Sequence, residues 1–328
     1  MADILYESDA DLAALDGQRV AVVGYGNQGR SWALNLRDSG ESAGLDVLVC
    51  VRADDTRAEA ENDGFATSDV EAASEADVIC LLVPDDVIPT LPITPRPDSL
   101  VIVASGYTLA FGRLTPPGDA GMVAPRMLGP EVRRCYEEGV GFITAFGIER
   151  DETGTARART LAIAKAIGGL RQGALPLTPM QEAVLDLGVE QALSPILRRV
   201  NESFIGVMME HGIPIEAILT ELFLSGEVER TYRLVRLEGG AAQTLHHSPT
   251  SQYGQLSRVG RYDHLDVAST MRELMSDITS GRFADEWDAE REAGYPVLDE
   301  LRNKALAPEI LEFEEDLRLQ LGERAVRH

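Results

Sequence analysis

The sequence predicts an α/β fold: an N-terminal domain built on a parallel sheet, followed by an all-α C-terminal domain. Three observations carry this. Short β-rich runs alternate with helical segments through the first half, a GxGxxG stands between the first run and the first helix, and after about residue 178 the apolar spacing turns helical. Together they define a Rossmann-type dinucleotide domain over residues 1–178 and a helical domain over 179–328.

RVAVV at 19–23 is the first strand, followed by a glycine turn and a helix over 31–39. The second strand covers 46–51, and 58–64 reads as a helix. A third strand at 78–83 ends at Pro84, a fourth covers 100–104, and 122–124 and 141–145 read as further strands. Short helical segments between strands point to βαβ units, with helices on both sheet faces. The helix at 155–167 and the Gly168-Gly169 turn close this half, and LPLTP at 175–179 marks the transition. Residues 180–211, 214–237 and 263–280 then carry apolar residues at helical spacing, in helices long enough for a bundle.

At 328 residues and 44% apolar, the chain can bury a substantial core. Acidic residues outnumber basic ones 54 to 30, a formal charge of −24. That balance argues against nucleic acid or an anionic membrane surface, which demand concentrated positive charge. Phosphate binding is still allowed, because backbone N–H groups at a helix N-terminus bind it without a basic side chain. Lys165 and Lys304 are the only lysines. Cys50, Cys80 and Cys135 are odd in number and far apart, which is no disulfide framework and fits a reducing compartment. The N-terminus lacks a basic and an apolar region of signal-peptide type, and no apolar run approaches a bilayer span. A soluble, cytoplasmic protein is the expectation.

Gly24-Tyr25-Gly26-Asn27-Gln28-Gly29 follows a strand directly and opens a helix. Gly24 permits the tight turn, Gly26 lets the backbone approach a pyrophosphate, and Gly29 allows close helix–strand packing. After the second strand comes Arg52-Ala53-Asp54-Asp55-Thr56-Arg57. Arg52 and Arg57 suit a 2′-phosphate or stacking on adenine, whereas Asp54 and Asp55 suit a free 2′-hydroxyl. NADH and NADPH both stay open. The cofactor candidates are the six residues of the glycine loop with Arg52, Asp55, Arg57 and Pro84.

In the second half, Asp186 and Glu190 stand four apart in LDLGVEQAL, on one face of a helix. A bridging cation would explain such an acid pair, and so would a solvated acidic surface.

At this point the residues resemble a known family. GYGNQGRSWALNLRDSG, LLVPDD, APR with GPEVRR, and DLGVEQ resemble stretches of ketol-acid reductoisomerase, the branched-chain amino-acid enzyme. YESDADL near the start, AIGGLRQG and FADEWDAEREAGYP extend the resemblance nearly end to end, and the length suits the family's short form. The family converts 2-acetolactate-type substrates with NAD(P)H and two Mg²⁺, by alkyl migration and then hydride transfer. The resemblance therefore implies metal binding by Asp186, Glu190 and Glu221, substrate binding at Ser248, and at least a homodimer with interlocked helical halves.

The departures matter as much. A family His-Gly-Phe is Ser105-Gly106-Tyr107 here, and Ala-Pro-Lys is Ala124-Pro125-Arg126, followed by Met127-Leu128 instead of Gly-Pro. The carboxylate expected four residues after Glu221 falls on Ser225. Glu227 lies six residues from Glu221, about 240° around an ideal helix, and shares its face only if Gly226 breaks that helix. Ser105, Tyr107, Arg126 and Glu190 are the catalytic candidates. A guanidinium is permanently protonated, so Arg126 can position an anion but not readily exchange a proton. Reduction should survive such changes better than isomerisation, which leans on paired metal charge. His246 and His247 suit proton donation, ligation or capping, and Arg133 and Arg134 suit a substrate carboxylate or the surface.

Three functions compete: a reductoisomerase-like oxidoreductase acting on a small keto acid, a member repurposed in specialised metabolism for another keto, imine or nicotinamide-like substrate, and a non-catalytic dinucleotide-binding protein.

Overall fold

A computed structural model of the chain describes residues 3–40 and 45–321. It forms two compact units that meet in sequence between Asp186 and Leu187.

The first unit holds an eight-stranded sheet of order β3-β2-β1-β4-β5-β6-β7-β8. The strands are β1 (Arg19–Val23), β2 (Asp46–Cys50), β3 (Thr67–Ser68), β4 (Val78–Leu81), β5 (Leu100–Val103), β6 (Asp119–Pro125), β7 (Thr144–Arg150) and β8 (Ala174–Pro176). VICL in β4 and LVIV in β5 are buried at every position, because central strands of a parallel sheet are covered on both faces. The chain leaves β1 toward β2 and β3, then crosses back to β4 on the other side. This reversal opens a crevice at the carboxyl ends of β1 and β4, where such sheets bind ligands.

The helices of this unit are α1 (Asn27–Gly40), α2 (Asp55–Asn62), α3 (Tyr107–Ala110), α4 (Gly129–Glu137), α5 (Ala156–Ala166) and α6 (Pro179–Gly188), the last running just past the boundary. Trp32 and Leu36 of α1 are fully buried. Beside them the buried amide of Asn35 donates to the carbonyl of Ile167 at 3.0 Å and accepts from Arg133 at 2.9 Å, tying α1 to α4 and the end of α5.

Three sequence expectations need correction. The sheet is not wholly parallel, since β6 and β7 pair antiparallel. Pro125 lies opposite Thr144, so α4 returns the chain to the edge it left instead of crossing the sheet. The strand expected at 141–145 accordingly begins later and runs to Arg150. The single helix expected over 180–211 is interrupted: α6 passes into a π-helical turn, Val189–Leu193, and then α7 (Ser194–Glu210).

In the second unit, α8 (Ile215–Leu219) leads through another π-helical turn, Thr220–Leu224, to α9 (Glu227–Glu238). Then come α10 (Gly240–Gln243), α11 (Pro249–Arg258), α12 (Val267–Thr279), α13 (Arg282–Glu292), α14 (Pro296–Ala305) and α15 (Pro308–Leu321). α7 buries none of its residues, and Leu197, Val200, Phe204 and Val207 along it are exposed. No helix among the described residues is long and apolar enough to cross a membrane.

One buried ion pair braces the first unit. Asp119 on β6, wholly buried, meets Arg159 on α5 at 2.5 Å and accepts from Thr153 at 2.6 Å and from the amide of Glu152 at 2.8 Å. Removing one partner strands the other charge in the interior. Asp119→Ala should therefore lower the unfolding free energy by about 3–5 kcal/mol in urea denaturation. A loss within about 0.5 kcal/mol would show that the pair carries no such load.

Candidate functional site

A groove of about 320 Å³ opens at the carboxyl ends of β1, β2 and β4, and its lining includes Gly24, Tyr25, Gly26, Arg52, Thr56 and Pro84. Gly24 has φ +93°, and a Cβ there would stand 2.8 Å from the carbonyl oxygen of Leu82. A Cβ on Gly29 would fall 2.2 Å from the carbonyl oxygen of Gly24, so only glycine lets α1 start this close to β1. Gly26 differs: a Cβ there would project into open space beside the groove. That is the approach a pyrophosphate needs, and the cradle fits a dinucleotide.

Other candidates serve as its frame. Gln28 donates to the carbonyl of Met127 at 3.2 Å and accepts from Trp32 at 3.1 Å. The Tyr25 hydroxyl donates to Asp63 at 2.8 Å; burial, reinforced by that carboxylate, pushes the phenol up. Arg57 turns away from a ribose role, donating to the carbonyl of Val51 at 2.7 Å and pairing with Asp69 at 2.5 Å. Arg52 is 86% exposed and pairs with Asp54 at 3.2 Å. Asp54 caps α2 by accepting from the amide of Thr56 at 3.1 Å, while the Thr56 hydroxyl holds its carboxyl below the usual range. Asp55 opens α2. The groove rim after β2 thus carries one loosely held guanidinium among fixed carboxylates.

The second cluster forms where β5 and β6 end. Pro125 closes β6, and the amide of Arg126 donates to the carbonyl of Ile143 at 2.9 Å. Gly129 packs on Asn27, where a Cβ would stand 2.4 Å from its carbonyl carbon, and Ser31 donates to the carbonyl of Gly129 at 2.8 Å. Residues 126–129 are thereby fixed against the start of α1. From this base the Arg126 guanidinium reaches Glu182 at 2.6 Å and Asp186 at 2.9 Å, both on α6. The other oxygen of Glu182 accepts from the amide of Gly106 at 2.6 Å. Glu182 is 2% exposed; burial pushes its carboxyl up, opposed by Gly106 and Arg126 and aided by Asp186. Ser105 accepts from the amide of Tyr107 at 3.2 Å, and Tyr107 is buried at the head of α3.

The structure therefore brings Ser105, Tyr107, Arg126 and Asp186 into one region of the first unit, with Glu182 at its centre. Sequence reading passed over Glu182, although its spacing of four from Asp186 was there to be used. In the second unit, Glu190 and Glu221 each lie in a π-helical turn, a local widening frequent at functional sites. Gly226, at φ +74°, does break the helix between Glu221 and Glu227. The Ser225 hydroxyl turns back to the carbonyl of Glu221. Ser248 caps α11, accepting from the amide of Ser251 at 3.3 Å. His246 pairs with Glu238 at 2.7 Å, and His247 with Gln243 at 2.8 Å. Arg133 is engaged by Asp38 at 2.7 Å and Glu137 at 2.9 Å, and Arg134 by Glu131.

One of the carboxylates implied for metal binding is already engaged by a cation of this chain. An oxygen of Asp186 accepts from Arg126 at 2.9 Å, so a divalent cation there would share that carboxylate with a guanidinium.

Comparison with known proteins is consistent along the whole chain. Residues 14–173 match the family described as acetohydroxy acid isomeroreductase, NADPH-binding domain, and residues 180–322 match ketol-acid reductoisomerase, C-terminal domain. The chain is 38% identical to a ketol-acid reductoisomerase (NADP(+)) of Caldivirga maquilingensis, over 97% of this chain and 98% of that one. It is 34% identical to the enzyme of the same name from Saccharopolyspora erythraea, over 96% of each. Among solved structures it is similar to an NADH-preferring ketol-acid reductoisomerase from an uncultured archean, with TM-score 0.88, 29% identity, and 96% and 98% of the two chains covered.

The Gly106–Glu182 bond sets a steric condition on the cluster. A Cβ on Gly106 would stand 2.2 Å from the carbonyl oxygen of Pro179, so Gly106→Ala must push α6 away. A loss of about 1–3 kcal/mol in chemical denaturation is expected. Unchanged stability would show that α6 does not seat on this turn.

Proposed function

The chain belongs to the ketol-acid reductoisomerase family, and from that premise we propose that it reduces a small 2-keto acid with NADH. It is an NAD(P)H-dependent, reductoisomerase-like oxidoreductase. The observation that carries the finer reading is the Arg126–Glu182–Asp186 cluster, fastened through residues 126–129 to the helix that opens the dinucleotide cradle.

NADH, when bound, supplies a hydride to the ketone carbon. The glycine loop would hold the pyrophosphate, and the groove between Arg52 and Pro84 would take the adjoining part of the dinucleotide. A guanidinium has five N–H donors, and Glu182 and Asp186 engage one on each terminal nitrogen. The rest serve to bind the keto acid and to stabilise negative charge growing on its oxygen. Ser105 and Tyr107 shape the wall on the β5 side. Since Arg126 keeps its proton, the product hydroxyl takes its proton from water. Alkyl migration, the step that leans most on paired metal charge, is not assigned to this cluster.

A homodimer and a cytoplasmic setting complete the reading. The exposed apolar row on α7 supports burial against a second copy. Arg126 in place of the family lysine also supports a second reading, a member turned to another keto or imine substrate in specialised metabolism. One assay separates the two. Purified protein is offered NADH with either 2-acetolactate or the rearranged 3-hydroxy-2-keto acid. Oxidation with the rearranged acid, at least about tenfold faster than with 2-acetolactate, is the expected result. No oxidation with either compound would leave only the second reading.

NADH preference follows from the rim after β2, where Asp54 stays ionised and Arg57 is committed to Val51 and Asp69. Asp54→Asn keeps a good helix cap while removing the charge. It should strengthen NADPH binding relative to NADH, roughly fivefold, in fluorescence titrations. An unchanged ratio would remove Asp54 from cofactor choice.

A further inference from the structure

We propose that Arg126 supplies, as a fixed organic cation, the positive charge at Asp186, and that ketone reduction by this chain proceeds without a divalent metal bound there. This rests on the reduction proposed above and names the group that activates its substrate.

Four observations converge. The guanidinium spans two carboxylates, at 2.6 Å to Glu182 and 2.9 Å to Asp186, which its planar fork can do and a lysine point charge cannot match. Its backbone is fixed by the bond to Ile143 and by the packing of Gly129 on Asn27, so the guanidinium reaches the carboxylates from a held base. Glu182 is 2% exposed and requires that charge, because a buried carboxylate without a partner is strongly unfavourable. Asp186, 42% exposed, marks the solvent side of the cluster, where a substrate oxygen would arrive.

A metal at Asp186 would have to share the carboxylate with Arg126, bonded at Oδ1, and would face a positive charge that no ordinary pH removes. Mg²⁺ also demands near-octahedral oxygen ligation. In the reduction, the hydride of the dihydronicotinamide forms a C–H bond at the ketone carbon while the C=O π bond breaks. The cofactor is oxidised, and the resulting alkoxide, paired with Arg126, takes a proton from water.

The test uses Mn²⁺ as a paramagnetic probe, titrated into the full-length protein with NADH and followed by loss of the free-ion resonance signal. No substrate is needed, so the outcome is independent of whether the reduction proposal holds. Wild type should bind Mn²⁺ at least about tenfold more weakly than Arg126→Lys, which keeps a cation for Glu182 but releases Asp186. Asp186→Asn in the wild-type background should leave Mn²⁺ uptake unchanged, and this arm stands if Arg126→Lys does not fold. Equal binding by wild type and Arg126→Lys would overturn the proposal, as would loss of Mn²⁺ binding in Asp186→Asn. With a turned-over keto acid in hand, the wild-type rate should be indifferent to EDTA.

Discussion

A carboxylate taken out of water must be met by positive charge or by donors, and Glu182 is the carboxylate on which the candidate site turns. It draws one donor from the backbone of Gly106, at the end of β5, and another from Arg126, at the end of β6. Those bonds seat the first turns of α6 on the carboxyl edge of the sheet. They also explain two residue choices at once. Position 106 must be glycine because Pro179 lies against it, and position 126 must carry a cation because Glu182 is buried.

The same edge holds the dinucleotide cradle, and the two are mechanically one. Ser31 and Gln28, on the first turns of α1, grip the carbonyls of Gly129 and Met127. A displacement of the glycine loop would therefore carry Arg126 with it. Hydride transfer depends on the distance between cofactor and ketone, and under the proposed function this coupling would keep that distance constant.

Beyond Asp186 the governing physics is different. The helices of the second unit are amphipathic, and much of their apolar surface is exposed in a single copy, as on α7. Glu190 and Glu221 fall in widened turns, where the ordinary i→i+4 ladder is interrupted and side chains are re-aimed. Periodicity cannot reveal such a turn, because it leaves composition untouched and shifts the helical phase by only a fraction of a turn.

Read alone, the amino-acid sequence determined the alternation of strands and helices, the switch to helices after residue 178, and the dinucleotide loop. These are local properties: β-branched runs, glycines with single permitted environments, and spacing along one element. It also exposed Arg126 as the departure to watch. What it left undecided needed distances between residues far apart in the chain. The antiparallel turn of β7 depends on where α4 delivers the chain, and the bonds of Arg57 to Val51 and Asp69 depend on how the ends of β2 and β3 meet. Glu182 gained its importance from Gly106 and Arg126, 76 and 56 residues away. Burial gives a carboxylate its chemistry, and burial is a property of the assembled fold.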